Sequence, residues 1–173
     1  MNEKAHNTNG AVDLGLLAHL LDRHAAALGL FARQWCSSPD DVVQEAFLKL
    51  AEQDHSPVDP VAWLYRVVRN RAISRGRSDS RRRRHEQEAA TRRPLWENDA
   101  TDSPASERID AQAAAKALET LLPEDREIVV ARLWGGLTFQ QIGQLIGASD
   151  SAAHRRYTKA IHSLKATLRE NSE

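Results

Sequence analysis

Cysteine is almost missing from this chain of 173 residues: Cys36 stands alone. That excludes an internal disulfide and a thiolate metal cluster. Long apolar runs are missing too, since none approaches the roughly 20 residues that span a bilayer. The opening residues MNEKAHNTNGAVD lack the apolar core of a secretory leader. A cytoplasmic protein with no membrane insertion is the expectation. Sustained apolar–polar alternation and Asn-Gly or Asp-Gly hairpin turns are absent, which argues against strands. There is no Walker or dinucleotide glycine pattern and no His-Glu-x-x-His zinc signature. His19 and His24 are five apart and fall on different helix faces. Nothing pairs Cys36 or a serine with a histidine and an acid at a recognisable spacing. No catalytic, cofactor or metal residue is assigned, and the chain is not expected to be an enzyme.

What is present is charge, sorted into blocks that cancel to a formal net of zero. Residues 1–65 carry 4 basic and 9 acidic side chains, and residues 66–85 carry 9 arginines against one aspartate. Residues 86–110 turn acidic again, with 7 acids and 3 arginines. A basic block between acidic ones suggests different partners for different surfaces. Closely spaced arginines repel one another unless an anion neutralises them. In RVVRNRAISRGRSDSRRRR they follow Trp63 and Tyr65, a mixture that suits nucleic acid. The alternative is a solvated charged face, with Trp63 in the core beside Leu64.

The pattern predicts an all-α chain. A first helix runs from about Val12 to Trp35, with Leu17, Leu20, Leu21, Leu28, Phe31 and Trp35 on one stripe. Ser38-Pro39-Asp40-Asp41 is a helix start, with a cap, a first-turn proline and acids at the positive helix end. The helix it opens buries Val43, Phe47 and Leu50 and shows Asp41, Gln44, Glu45 and Leu48 elsewhere on its surface. Asp59-Pro60 starts a third helix, with Val61, Leu64, Val67, Val68 and Ile73 inward and an end near Gly76. Residues 86–107, with Pro94, Pro104 and several acids, read as a linker. A further helix starts near Ser106 and carries Ile109, Ala113, Leu118 and Leu121. Leu122-Pro123-Glu124-Asp125 opens the next, through Ile128, Val129 and Leu133 to Gly135-Gly136.

The stretch from Thr138 to Ala160 is the most informative. Thr138 and Gln141 make a capping box. Ile142, Leu145 and Ile146 form an apolar face, and Gly147 permits a sharp reversal. Ser149 caps a second helix with Ala153, Tyr157, Ala160, Ile161 and Leu164 inside and Ser151, His154, Arg155 and Lys159 outside. This is a helix-turn-helix whose polar second helix can enter a DNA major groove. A plain helical hairpin in a small bundle has the same outline.

Three segments in this order resemble the bacterial RNA polymerase sigma factors of the extracytoplasmic-function (ECF) type, in the sigma-70 family. DDVVQEAFLKL is similar to that family's core-polymerase-binding helix. PVAWLYRVVRNRAISRGR is similar to its promoter-opening segment, and LPEDREIVVARLWGGLTFQQIGQLIGAS to its fourth domain. The likeness covers about residues 16–84 and 114–168. It implies two small helical domains joined by an acidic linker: a disordered N-terminus at 1–11, sigma domain 2 at 12–85, the linker at 86–107, and sigma domain 4 with the helix-turn-helix at 108–173.

The resemblance also implies roles. Asp41, Gln44, Glu45 and Leu48 would face core RNA polymerase. Arg66, Arg69, Asn70 and Arg71 would contact the minus-ten element of promoter DNA, with the loop Gln53–Asp59 holding a flipped-out base. Ser151, His154 and Arg155 would read the minus-thirty-five element, while Arg156 and Lys159 would hold phosphate. An anti-sigma factor is a further partner that the resemblance allows. Ser74 stands where the family often has Asp, and Ala152 and Ala153 replace a Thr-Val pair, so no promoter sequence carries over. The alternative is a self-sufficient helix-turn-helix regulator that binds duplex DNA. An RNA-binding or scaffold protein is a third class.

Overall fold

The computed structural model describes residues 12–87 and 117–170, and every regular element among them is an α-helix. The chain divides into two units, Met1–Gly76 and Arg77–Glu173.

Helix α1 is Leu14–Arg33, with the Asp13 carboxylate accepting from the Leu16 N–H at 3.3 Å. It is two residues shorter at each end than expected, because Asp13 and Gln34 are its caps. Leu20, His24, Ala27, Leu28 and Phe31 form the buried face at spacings of three and four. Leu21 is not part of it: it lies one residue round the helix and is 45% exposed. Helix α2, Pro39–Ala51, packs on α1 through Val42, Val43, Ala46, Phe47 and Leu50. The Ser38 side chain makes no cap bond, so Pro39 and the first-turn acids Asp40 and Asp41 mark the start.

Helix α3, Pro60–Gln87, begins where Asp59 accepts from the Ala62 N–H at 2.9 Å. Leu64, Tyr65, Val68 and Ala72 are buried, while Trp63, Val61, Val67 and Ile73 are half-buried. Tyr65 meets Phe31 edge-on, with ring centroids 5.0 Å apart. Burial pushes its phenol well above the usual tyrosine range. The Tyr65 ring is packed core and is not open to a base. Nor does the helix end at Gly76. A Cβ at that position would fall 1.9 Å from the Trp35 carbonyl oxygen. The glycine lets α3 run past the end of α1, so it is a close-contact residue and not a stop.

In the second unit, residues 117–119 are helical. Helices α4 (Pro123–Leu133), α5 (Phe139–Ile146) and α6 (Asp150–Glu170) follow. Arg126 ties the segments together: it donates to the carbonyls of Leu118 at 2.7 Å, Glu119 at 3.0 Å and Leu121 at 3.1 Å. Those oxygens lie at a helix end, where carbonyls are left short of partners and the dipole is negative, so a cation suits them; Leu118 also accepts from the Leu121 N–H at 3.2 Å. Burial lowers the Arg126 pKa, with Glu119 opposing. On α4, Glu127, Ile128, Val129, Val130 and Ala131 are buried. Leu133, at the end of the helix, is 53% exposed. Leu118 and Leu121 are buried as expected. Ser106, Ile109 and Ala113, like the segments 1–11 and 88–107, lie outside the described residues.

Candidate nucleic-acid interface

The helix-turn-helix forms from local signals. Thr138 and Gln141 close both halves of a capping box, and Gly147 takes the left-handed conformation at φ 70°. Ser149 Oγ then accepts from the Ala152 N–H at 3.2 Å and opens α6. Gly143 sets how closely the turn folds back. A Cβ there would sit 2.7 Å from the Ala148 carbonyl oxygen and 3.2 Å from the Asp150 nitrogen. Ile142 and Leu145 on α5 and Ala153, Ala160 and Leu164 on α6 are buried, and α6 packs against both α4 and α5.

Ser151, His154, Arg155 and Lys159 are all exposed on α6, as expected of a base-reading face. Their surroundings differ. The Ser151 N–H donates to the Asp150 carboxylate at 2.8 Å. His154 stands perpendicular to the Phe139 ring at 4.8 Å between centroids, and Tyr157 meets the same ring at 5.4 Å. The Arg132 guanidinium lies 4.9 Å from the Phe139 centroid and donates to the Leu137 carbonyl at 2.8 Å. Phe139 therefore braces His154, a role the sequence reading missed. Its signal was an aromatic residue directly after the Thr138 cap.

Arg156 is not turned outward like Arg155. Its Nη2 meets Glu124 at 3.0 Å and its Nε meets Asp125 at 3.3 Å, which ties α6 to the start of α4. One residue is 100° of helix, enough to separate an outward side chain from an inward tie.

In the first unit, Arg66 and Asn70 are exposed and Arg69 is half-buried. Arg66 and Asn70 lie on the side of α3 opposite Leu64 and Val68, and Arg69 lies at the edge of the buried face. Arg71 is on a different edge, facing α2. Two acids four residues apart on α2 oppose two arginines four residues apart on α3. Arg75 Nη1 donates to Glu45 Oε1 at 3.0 Å, and its Nη2 to Asp41 Oδ2 at 3.2 Å. Arg71 Nε lies 3.5 Å from Glu45 Oε2. The structure thus joins residues that the sequence reading sent to separate partners. Asp41 and Glu45 are not open acids, and Arg71 is not an open cation. Gln44 and Leu48 are exposed on the same helix, beside the acid pair. Arg75 was missed, although its spacing from Arg71 mirrors that of the two acids.

No helix among the described residues is long and apolar enough to cross a membrane. No group of His, Cys, Asp or Glu among them could hold a metal ion.

Comparison with known proteins agrees with this geometry. The model of Sigma-70 region 2 matches residues 18–82, and that of Sigma-70, region 4 matches residues 117–166. The probable RNA polymerase sigma factor RfaY of Xanthomonas campestris pv. campestris is 33% identical over 149 residues, covering 83% of this chain and 36% of that protein. The ECF RNA polymerase sigma factor SigJ of Mycobacterium tuberculosis is 30% identical over 132 residues, covering 73% and 42%. The chain therefore spans less than half the length of these two relatives. Among solved structures, the sigma factor RpoE in complex with the anti-sigma factor NepR, from Bartonella quintana, superposes with a TM-score of 0.66 at 22% identity, over 88% of this chain and 96% of that one. CnrH in complex with the cytosolic domain of CnrY gives 0.57 at 24%, over 91% and 90%. At such identities they support the fold. With both region models matched in order on an all-helical chain, this protein belongs to the sigma-70 family of RNA polymerase sigma factors, in its ECF group.

Proposed function

We propose that this chain binds core RNA polymerase and directs initiation at promoters, as a specificity subunit without catalysis of its own. The observation that carries the reading is the presence in one chain of an acid-and-arginine helix pair and, after an acidic segment, a helix-turn-helix with an exposed polar face. A self-sufficient regulator has no use for the first of these. On this reading residues 12–85 form sigma domain 2, 86–107 the linker and 108–173 sigma domain 4.

Asp41, Gln44, Glu45 and Leu48 meet the basic clamp of the polymerase. Arg66, Arg69, Asn70 and Arg71 hold the minus-ten element. Ser151, His154 and Arg155 read the upstream element, Lys159 holds phosphate, and Arg156 orients α6. RpoE is seen with an anti-sigma factor, and a protein of that class is the partner we propose for silencing this chain, in the cytoplasm. Run-off transcription with purified core polymerase tests the proposal. Initiation at a defined site that depends on this chain supports it. Duplex binding with no initiation would favour the regulator.

A further inference from the structure

The ion pairs between α2 and α3 tie the proposed polymerase surface to the proposed promoter surface. Arg75 bridges Asp41 and Glu45, and Arg71 adds a second contact to Glu45. All four side chains are between 36% and 58% exposed. Ion pairs this exposed are weak, so they exchange readily for a better-placed partner. They also matter in two directions. Each acid held by an arginine is partly neutralised toward a basic protein surface. Each arginine held by an acid is partly neutralised toward phosphate.

We propose that this cluster is a charge latch and that Arg75 is a further promoter-contact residue released by it. It rests on the reading of Asp41 and Glu45 as polymerase contacts. When the basic clamp takes the two carboxylates, Arg71 and Arg75 lose their counter-ions and turn to the backbone of the promoter strand, beside Asn70. Free chain then holds DNA weakly, and polymerase-bound chain holds it with two more cations. Coupling of this kind is reciprocal: whatever weakens the latch from the arginine side must favour polymerase, and whatever weakens it from the acid side must favour DNA.

The test uses the full chain and two titrations. The first measures binding to a fluorescent mixed-sequence single strand over a range of salt, without polymerase. Asp41→Asn with Glu45→Gln keeps size and removes both acids. It should tighten binding about tenfold at moderate salt and steepen the log–log salt slope by roughly 1.4, which is two phosphate contacts at about 0.7 each. Asp40→Asn removes the same kind of charge from α2 outside the cluster and should change affinity less than about twofold, a screened through-space effect only. Adding Arg75→Gln to the double variant should remove about half of the slope gain.

The second titration measures core polymerase binding without DNA. Arg71→Gln with Arg75→Gln should bind core several-fold more tightly, while Arg77→Gln, on the opposite side of α3, should not. An unchanged DNA slope in the acid variant overturns the latch, as does an equal gain from Asp40→Asn or a slope gain that Arg75→Gln leaves undiminished. Core affinity that is unchanged or weakened in the arginine variant overturns it too. The acid variant's own core affinity separates the two readings. If it falls while the DNA slope stays put, the polymerase contact stands and the latch fails. If it does not fall, the polymerase contact fails and the latch with it. Circular dichroism confirms that each variant keeps its helices.

Discussion

Replacing Gly143 by alanine puts a methyl group where the two helices of the reading motif come closest. The added Cβ would lie 2.7 Å from the Ala148 oxygen, 3.1 Å from the Ser149 carbonyl carbon and 3.2 Å from the Asp150 nitrogen. All three are backbone atoms, so no side chain can swing away to make room. Overpacking of this kind costs about 1–3 kcal/mol. Alanine recovers up to about 1 kcal/mol through its better helix propensity. A net loss of about 1–2 kcal/mol is expected, or roughly 5–15 °C in the midpoint of a domain this small. Thermal unfolding read at the amides of Val129, Val130, Ile142 and Leu145 would measure it in the second unit alone. Relief of the clash must shift the start of α6, and with it Ser151, His154 and Arg155. DNA binding through the upstream element should therefore fall more than the folded fraction does. Gly147→Ala is the comparison. No atom lies within 4 Å of its Cβ, and only the positive φ of 70° is strained. That costs about 1–2 kcal/mol and leaves α6 in place, so the native protein should bind DNA normally. A Gly143→Ala chain as stable as the parent, or equal DNA-binding losses in the two variants, would refute the reasoning.

Arg126→Ala leaves the carbonyls of Leu118, Glu119 and Leu121 without their shared donor. It should destabilise the second unit by about 2–3 kcal/mol in denaturant unfolding, with the first unit unchanged. His24 is buried on α1, and its pKa is lowered by that burial and, less strongly, by Arg23 and His19. The unfolded chain takes a proton there at about pH 6.5 and the folded chain only at lower pH, so the unfolded state binds more protons in between. Stability of the first unit should fall as pH drops below about 6.5. His24→Gln should flatten that dependence, and an equally steep profile in the variant would assign it to another group. Arg155→Ala should change which upstream element is preferred, since a bidentate pair with guanine carries about 1–3 kcal/mol of discrimination. Lys159→Ala should weaken all sequences alike. Selection from a randomised upstream element separates the two, and recovery of the parental consensus by both would make α6 a nonspecific clamp.

Helix starts, stops and the reading motif were legible because each is decided within a few residues. A proline lacking its N–H opens α2, α3 and α4 wherever it falls at the first position. The Thr138–Gln141 box, the left-handed Gly147 and the Ser149 cap are contacts across three residues or fewer, so a linear reading holds all the atoms involved. The outward set Ser151, His154, Arg155 and Lys159 follows from helical spacing alone. Gly76 shows the limit of such reasoning. Its local meaning is a weak point in a helix, and its real meaning comes from Trp35, which only the fold brings beside it. Leu21 was misplaced for a related reason: apolar periodicity marks a stripe, and the neighbouring helix decides which edge of it is covered.

Charge was the least legible. The two ties that change the functional reading join residues about thirty apart in sequence: Arg75 with Glu45 and Asp41, and Arg156 with Asp125 and Glu124. An arginine's spacing says which face of a helix it occupies, and nothing about what stands opposite. The sequence by itself determined the helices, their caps and the family they compose, because those rest on short-range hydrogen bonds and a 3.6-residue period. The pairing of acids with arginines was decided only by tertiary packing, because Coulomb energy depends on distances that the linear order of residues does not contain.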